Sequence, residues 1–173
     1  GRWTKYRVVK YQLRRHRLST YQTPEDEQKC PRWMKMGFNL YRRLEGLGFQ
    51  PYPAGESSHQ YLEAYPHACY TVLLGVAPFP KASLEGRIQR QLVLYENRIR
   101  VPDPMRLFEE ITRHRMLKGI LPDESLYSPA GLDALVAAYT AWKAVNRPSE
   151  VTVLGYPEEG QVVLPVAELK SHY

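Results

Sequence analysis

Cysteine is almost absent. Cys30 and Cys69 are the only two thiols in 173 residues, and they stand far apart with no metal-like spacing. That excludes a disulfide framework and a zinc knuckle, and both thiols are expected to be reduced and partly buried in a cytoplasmic protein. Long apolar runs are missing too. Nothing approaches the roughly 18 residues that span a membrane, and the opening "GRWTKYRVVK" has no apolar block before a small-residue cleavage site. No G-x-x-x-x-G-K-[ST] or G-x-G-x-x-G loop offers a phosphate cradle, and no H-E-x-x-H offers a zinc site. Ser128 stands near Asp133 without a G-x-S-x-G elbow, so a hydrolase triad has no basis. Strands are scarce as well: only one good buried strand is legible before residue 149, fewer than an α/β sheet usually needs.

What remains describes a globular chain of one domain, 1–173. A hydrophobic fraction of 43% with 24% charged residues fits a soluble protein with a real core. The net charge of +6 is unevenly spread. The first fifty residues hold twelve Lys/Arg against four Asp/Glu, and the rest hold twelve against fourteen. A basic front of this kind points to a polyanion, nucleic acid first, although an arginine-rich solvated helix gives the same count. Arg14, Arg15 and Arg17 are the candidate phosphate contacts.

Helix signals are numerous. Residues 3–17 carry the apolar stripe Tyr6, Val9 and Leu13, with an alternating strand as the other possibility. Residues 30–47 form a helix with Trp33, Gly37, Leu40, Tyr41, Leu44 and Leu47 on its core face, closed by Gly48. Pro66 starts a helix to about Leu74. Ser83 caps the next, which is expected to bury Leu84, Ile88, Leu92 and Tyr95 and to expose Arg87, Arg90 and Arg98. Asp103 and Pro104 open a helix that ends at Lys118 and Gly119. Ser128 and Pro129 open the last long one, which carries a stripe of Asp133, Ala137, Thr140, Ala141 and Ala144. Two strands joined by "YPEEG" follow, then a terminal helix ending at Tyr173.

Two carboxylates stand out. Glu63 sits mid-strand in "YLEAYPHACY", where a charge is costly unless an arginine, a hydrogen-bond network or a metal meets it. Asp133 lies on the small stripe of the long helix, near an N-terminus whose dipole favours it. Of the five histidines, which otherwise read as surface or packing groups, His67 lies one turn from Glu63.

The stretches "YLEAYPHACY", "LEGRIQRQLVLYE", "PDPMRLFEEITRHRMLKGILP", "YSPAGLDALVAAYTAWKA" and "PEEGQVVLPVAEL" resemble domain-of-unknown-function family 429, predicted nucleases of the ribonuclease-H-like superfamily. The resemblance runs over about residues 61–173 and more loosely over the basic helices before them. It implies a mixed sheet flanked by helices, with Glu63 and Asp133 as two of three carboxylates holding two Mg²⁺ or Mn²⁺ ions, and His67 behind them. Such ions activate a water and stabilise the leaving oxygen of a phosphodiester.

The first aspartate of that pattern is not found. No acidic residue precedes Glu25, and Glu25, Asp26 and Glu27 lie in a turn. An N-terminally truncated domain, weak or inactive alone, is therefore expected, with self-association or a partner chain at the face left open near Glu63. Three readings follow. The first is a metal-dependent nuclease and the second a non-catalytic nucleic-acid-binding module of the same fold. The third is an interaction protein binding neither metal nor nucleic acid.

Overall fold

Local start and stop signals set most of the architecture in the computed structural model, which describes residues 7–20, 24, 26–55 and 57–173. Residues 3–6 of the expected first helix and Glu25 lie outside the described residues. α1 (Val8–Arg15) is a helix rather than a strand, and its buried Val9 and Leu13 are one turn apart, as a helical stripe requires. A 3-10 turn capped by Asp26 leads into α2 (Arg32–Gly46).

Half of the expected core face of α2 is turned outward. No residue of the helix is buried, and Trp33, Leu40 and Leu47 are 57%, 56% and 75% exposed, while Gly37, Tyr41 and Leu44 are partly covered. The helix attaches by Tyr41 of that face and by Glu45 beside it. The Tyr41 ring packs on Tyr61 at 5.1 Å, and the Tyr61 hydroxyl donates to Glu45 at 2.9 Å. Gly48, at φ +85°, ends the segment as anticipated.

β1 (Gln50–Pro51) and β2 (Gln60–Tyr61) form a small parallel pair that the sequence reading did not anticipate. β3 (Glu63–Ala64) follows at once. α3 (Pro66–Leu74) starts on its proline and stops at Gly75, which is left-handed. α4 (Leu84–Glu96) is capped by Ser83, whose hydroxyl accepts from the Gly86 N–H.

The single helix expected over 103–119 is broken. α5 (Arg106–Glu110) and α6 (Arg113–Leu117) are separated by extended Ile111 and Thr112. The cause is local: the Thr112 hydroxyl accepts from the Arg115 N–H and starts a new helix. α7 (Pro129–Asn146) has the expected Ser128 cap and first-turn proline. β4 (Thr152–Leu154) and β5 (Val162–Leu164) form the expected antiparallel pair. The terminal helix is absent, and residues 165–173 run as irregular chain.

The larger sheet has the order β3-β5-β4, with β3 parallel to the central β5. α3, α4 and α7 pack on one another, and α3 and α7 also touch the sheet. Leu94, Leu132, Val136 and Leu164 close the core they share, together with Ala68, Cys69 and Tyr70. Each such aliphatic side chain contributes about 1.5–3 kcal/mol by leaving water. Thr140 and Ala144, from the small stripe of α7, are fully covered. Cys30 and Cys69 are free and buried. Among the described residues no helix is long and apolar enough to cross a membrane.

Candidate functional site

Glu63 meets an arginine. Its carboxylate accepts from both terminal nitrogens of Arg7, at 3.2 Å to Oε1 and 2.8 Å to Oε2. The two side chains keep 24% (Arg7) and 37% (Glu63) of their surface in water, so the pair is a half-buried, two-pronged bridge. Arg7 is the residue before α1, and its guanidinium lies against Gly160, where an added Cβ would sit 2.5 Å from Nη2. The neighbouring Val8 N–H donates to the Glu159 carboxylate at 3.0 Å. Arg7 thus ties the start of α1 to the β4–β5 turn and to β3 together. The Glu63 charge also helps push the nearby Tyr41 phenol up to about 12, after burial, which is the main cause.

Asp133 is matched separately. It faces out from the first turns of α7 and pairs with Lys81 at 3.1 Å. Beside it are three groups from α3 and α4. Tyr70 donates its hydroxyl to the Leu132 carbonyl at 2.8 Å. Arg90, only 2% exposed, lies 5.4 Å over the Tyr70 ring and gives both hydrogens of Nη1 to the Phe79 and Gly86 carbonyls. His67 is held below the usual imidazole range, by burial first and by Arg90 second, with Asp133 pulling the other way. Burial and then the Asp133 charge raise the Tyr70 phenol.

Gly86 is what allows this cluster to close. A Cβ there would collide with the Pro80 carbonyl, so only glycine lets the 76–82 connection lie on α4. The sequence reading missed Arg90, Lys81 and Tyr70. It placed Arg90 on a solvated face, whereas α4 is covered on two sides. The available signal was Gly86 four residues before Arg90, a small residue sharing its face.

His67 and Asp133 are therefore brought together, while Glu63 and Asp133 each have a cation of the chain against them. Among the described residues no group of three or more His, Cys, Asp or Glu could hold a metal ion. Asp26 caps the 3-10 turn and Glu27 pairs with Arg42, so neither substitutes for a further carboxylate. Arg14, Arg15 and Arg17 end α1 and are exposed, with no ion pair among the described residues. Arg17 has φ +58°, the left-handed position after a helix end that usually holds glycine.

A mixed α/β domain with a basic first helix and two neutralised carboxylates is the class of protein defined so far. The family model described as "Protein of unknown function (DUF429)" matches residues 7–159, and the chain belongs to that family. The match begins at Arg7, so it takes in α1 and α2 as well as the segments after Tyr61. Neither the curated proteins nor the solved structures yield a match.

Proposed function

We propose that the chain is a nucleic-acid-binding module of ribonuclease-H-like type, which holds its ligand through phosphates on α1. The observation that carries this reading is the contrast in neutralisation. Arg7, Lys81 and Arg87 are each paired with a carboxylate of the chain, whereas Arg14, Arg15 and Arg17 are exposed and have no carboxylate partner among the described residues. Guanidiniums in this state suit phosphate oxygens, and each contact releases a condensed counterion. Three contacts give a log–log salt slope of about −2 to −3. The test is a binding titration against salt with wild type and with Arg14→Ala, Arg15→Ala and Arg17→Gly combined. The triple variant should lose about tenfold or more in affinity and most of the slope. Binding indifferent to salt excludes the reading.

The second reading is a Mg²⁺- or Mn²⁺-dependent nuclease with Glu63 and Asp133 as ligands and His67 beside them. What favours it is the position of Glu63 on the outermost strand of its sheet with its carboxylate partly open. The residues present do not fit a two-ion centre: both Glu63 oxygens accept from Arg7, and the described residues supply no third ligand. Cleavage therefore ranks second. Metal-dependent hydrolysis that disappears in both Glu63→Ala and Asp133→Ala would restore it, and cleavage unchanged in both would end it.

We also propose that the outward side of α2 carries a partner or a second copy. Met36, Leu40 and Leu47 are exposed apolar residues there. A clean monomer by light scattering at high concentration counts against self-association.

A further inference from the structure

The opposite end of α7 has a different chemistry. α4 stops at Asn97 while α7 continues to Asn146, and a cavity of about 520 Å³ opens between them. Its walls include Arg98, Arg100 and Arg147, the rings of Tyr139 and Trp142, and one acidic residue, Glu96.

Three features of this cavity are independent of one another. The first is the backbone. Arg98 has φ +61°, and the Ile99 N–H reaches back to the Leu94 carbonyl at 3.0 Å. This helix-ending turn normally takes glycine, and an arginine held there is the kind of local strain found at ligand sites. The second is the platform. Tyr139 and Trp142 lie nearly parallel, 15° apart with centroids at 6.3 Å, and half of Trp142 is open to water. The Tyr139 hydroxyl donates to Asn97 at 3.0 Å, and the Asn97 amide donates to the Val93 carbonyl at 2.8 Å, so the ring is fixed to the end of α4. The third is charge. Arg98 and Arg100 are exposed with no ion pair among the described residues, and Arg147 is 3.6 Å from Glu150 while lying 5.5 Å over the Trp142 ring.

An acidic peptide would use the guanidiniums and leave the ring platform idle. A flat π-system beside three guanidiniums matches a base with its flanking phosphates. A base in a duplex has both faces stacked, so only an unpaired one can lie on the rings. We propose that this pocket binds single-stranded nucleic acid, with an unpaired base stacked on the half-open Trp142, which the buried Tyr139 ring supports, and its phosphates on Arg98, Arg100 and Arg147. This deepens the nucleic-acid reading and rests on it. Asp133 and Trp142 stand on one helix, roughly 13 Å apart along its axis at 1.5 Å per residue, so base stacking is separate from the Asp133 cluster.

The test is fluorescence anisotropy with a labelled oligothymidylate and a labelled duplex, both in EDTA. Trp142→Ala should weaken single-strand binding about tenfold and duplex binding less than twofold, and Trp142→Phe should restore most of the loss. Arg98→Gly relaxes the left-handed turn, so it should raise Tm by about 2–4 °C while weakening the single strand severalfold. If wild type binds the oligothymidylate and Trp142→Ala binds it equally well, the pocket proposal is overturned and the nucleic-acid reading survives on α1. An equal loss for single strand and duplex also overturns it. If wild type binds neither probe, the nucleic-acid reading itself fails and the pocket goes with it.

Discussion

The two ends of α7 handle charge in opposite ways. At the N-terminal end, Asp133 is held by Lys81, Arg90 is sealed against Tyr70 and two carbonyls, and His67 is half-buried beside them. At the C-terminal end, Arg98, Arg100 and Arg147 stand in or near water around a half-open Trp142. The same residue type therefore has two jobs along one helix. A guanidinium whose donors are spent on carbonyls inside the molecule holds elements together. One without such partners is free to bind something that arrives. Substitutions at the first end should move stability, and substitutions at the second should move affinity.

The largest effect is expected at Arg90. Truncation to Ala removes two donors from the Phe79 and Gly86 carbonyls and opens a void beside Tyr70, for a loss of about 3 kcal/mol. In a domain of this size that lowers Tm by about 6–12 °C in a thermal melt. Gly86→Ala comes next, at about 2 kcal/mol, because the new methyl meets backbone rather than a side chain that can swing away. Trp142→Ala, in contrast, should cost no more than about 1 kcal/mol, because half of the side chain is already in water. If Arg90→Ala melts with wild type while Trp142→Ala does not, the two ends have been assigned the wrong way round.

How far the sequence reveals this difference depends on the range of the interactions. Pro66, Ser83, and Ser128 with Pro129 act on their own first turns, and α3, α4 and α7 begin where those residues say they should. The β4–β5 hairpin is similarly local. Burial is not local. The stripe of Trp33, Leu40 and Leu47 on α2 has the periodicity of a core face, yet more than half of each of these residues is exposed. Arg90 reads as solvated because helix periodicity cannot report that the 76–82 connection folds back over Gly86. The partner of Glu63 is 56 positions away in sequence, and nothing in its own segment selects Arg7 among the many arginines of the basic front. Thr112 shows the converse case. It is a local signal, a cap inside an apolar pattern, outweighed in the sequence reading by the Asp103 and Gly119 boundaries on either side.

Glu63 extends the comparison to a third place, where a half-exposed bridge should behave like the N-terminal end of α7 but more weakly. Glu63→Gln keeps the shape and one acceptor for Arg7 while removing the charge. The expected cost is about 1 kcal/mol, discounted for the water that reaches both side chains. Single-strand affinity should stay within twofold of wild type, since the pair faces the chain's own α1 start. A large gain in affinity would mean that Arg7 is a phosphate contact which Glu63 masks, and the division between structural and available arginines would then move to include it.

His67 gives the smallest expected effect, a pH dependence confined to the N-terminal end. Burial and Arg90 hold its folded-state affinity for a proton below that of the unfolded chain. Between the ordinary imidazole value near 6.5 and the lower folded value, the unfolded state binds more protons. Stability therefore falls as pH drops through that window and is level above it. His67→Gln should remove this part of the pH dependence, so the difference between wild-type and variant melts should shrink or reverse on going from neutral to mildly acid solution. The Arg98 and Trp142 variants should follow wild type across the same range, because no histidine lines their pocket. A His67→Gln profile that parallels wild type would mean Asp133 offsets burial and Arg90 together, and His67 would then add no pH dependence to the N-terminal end.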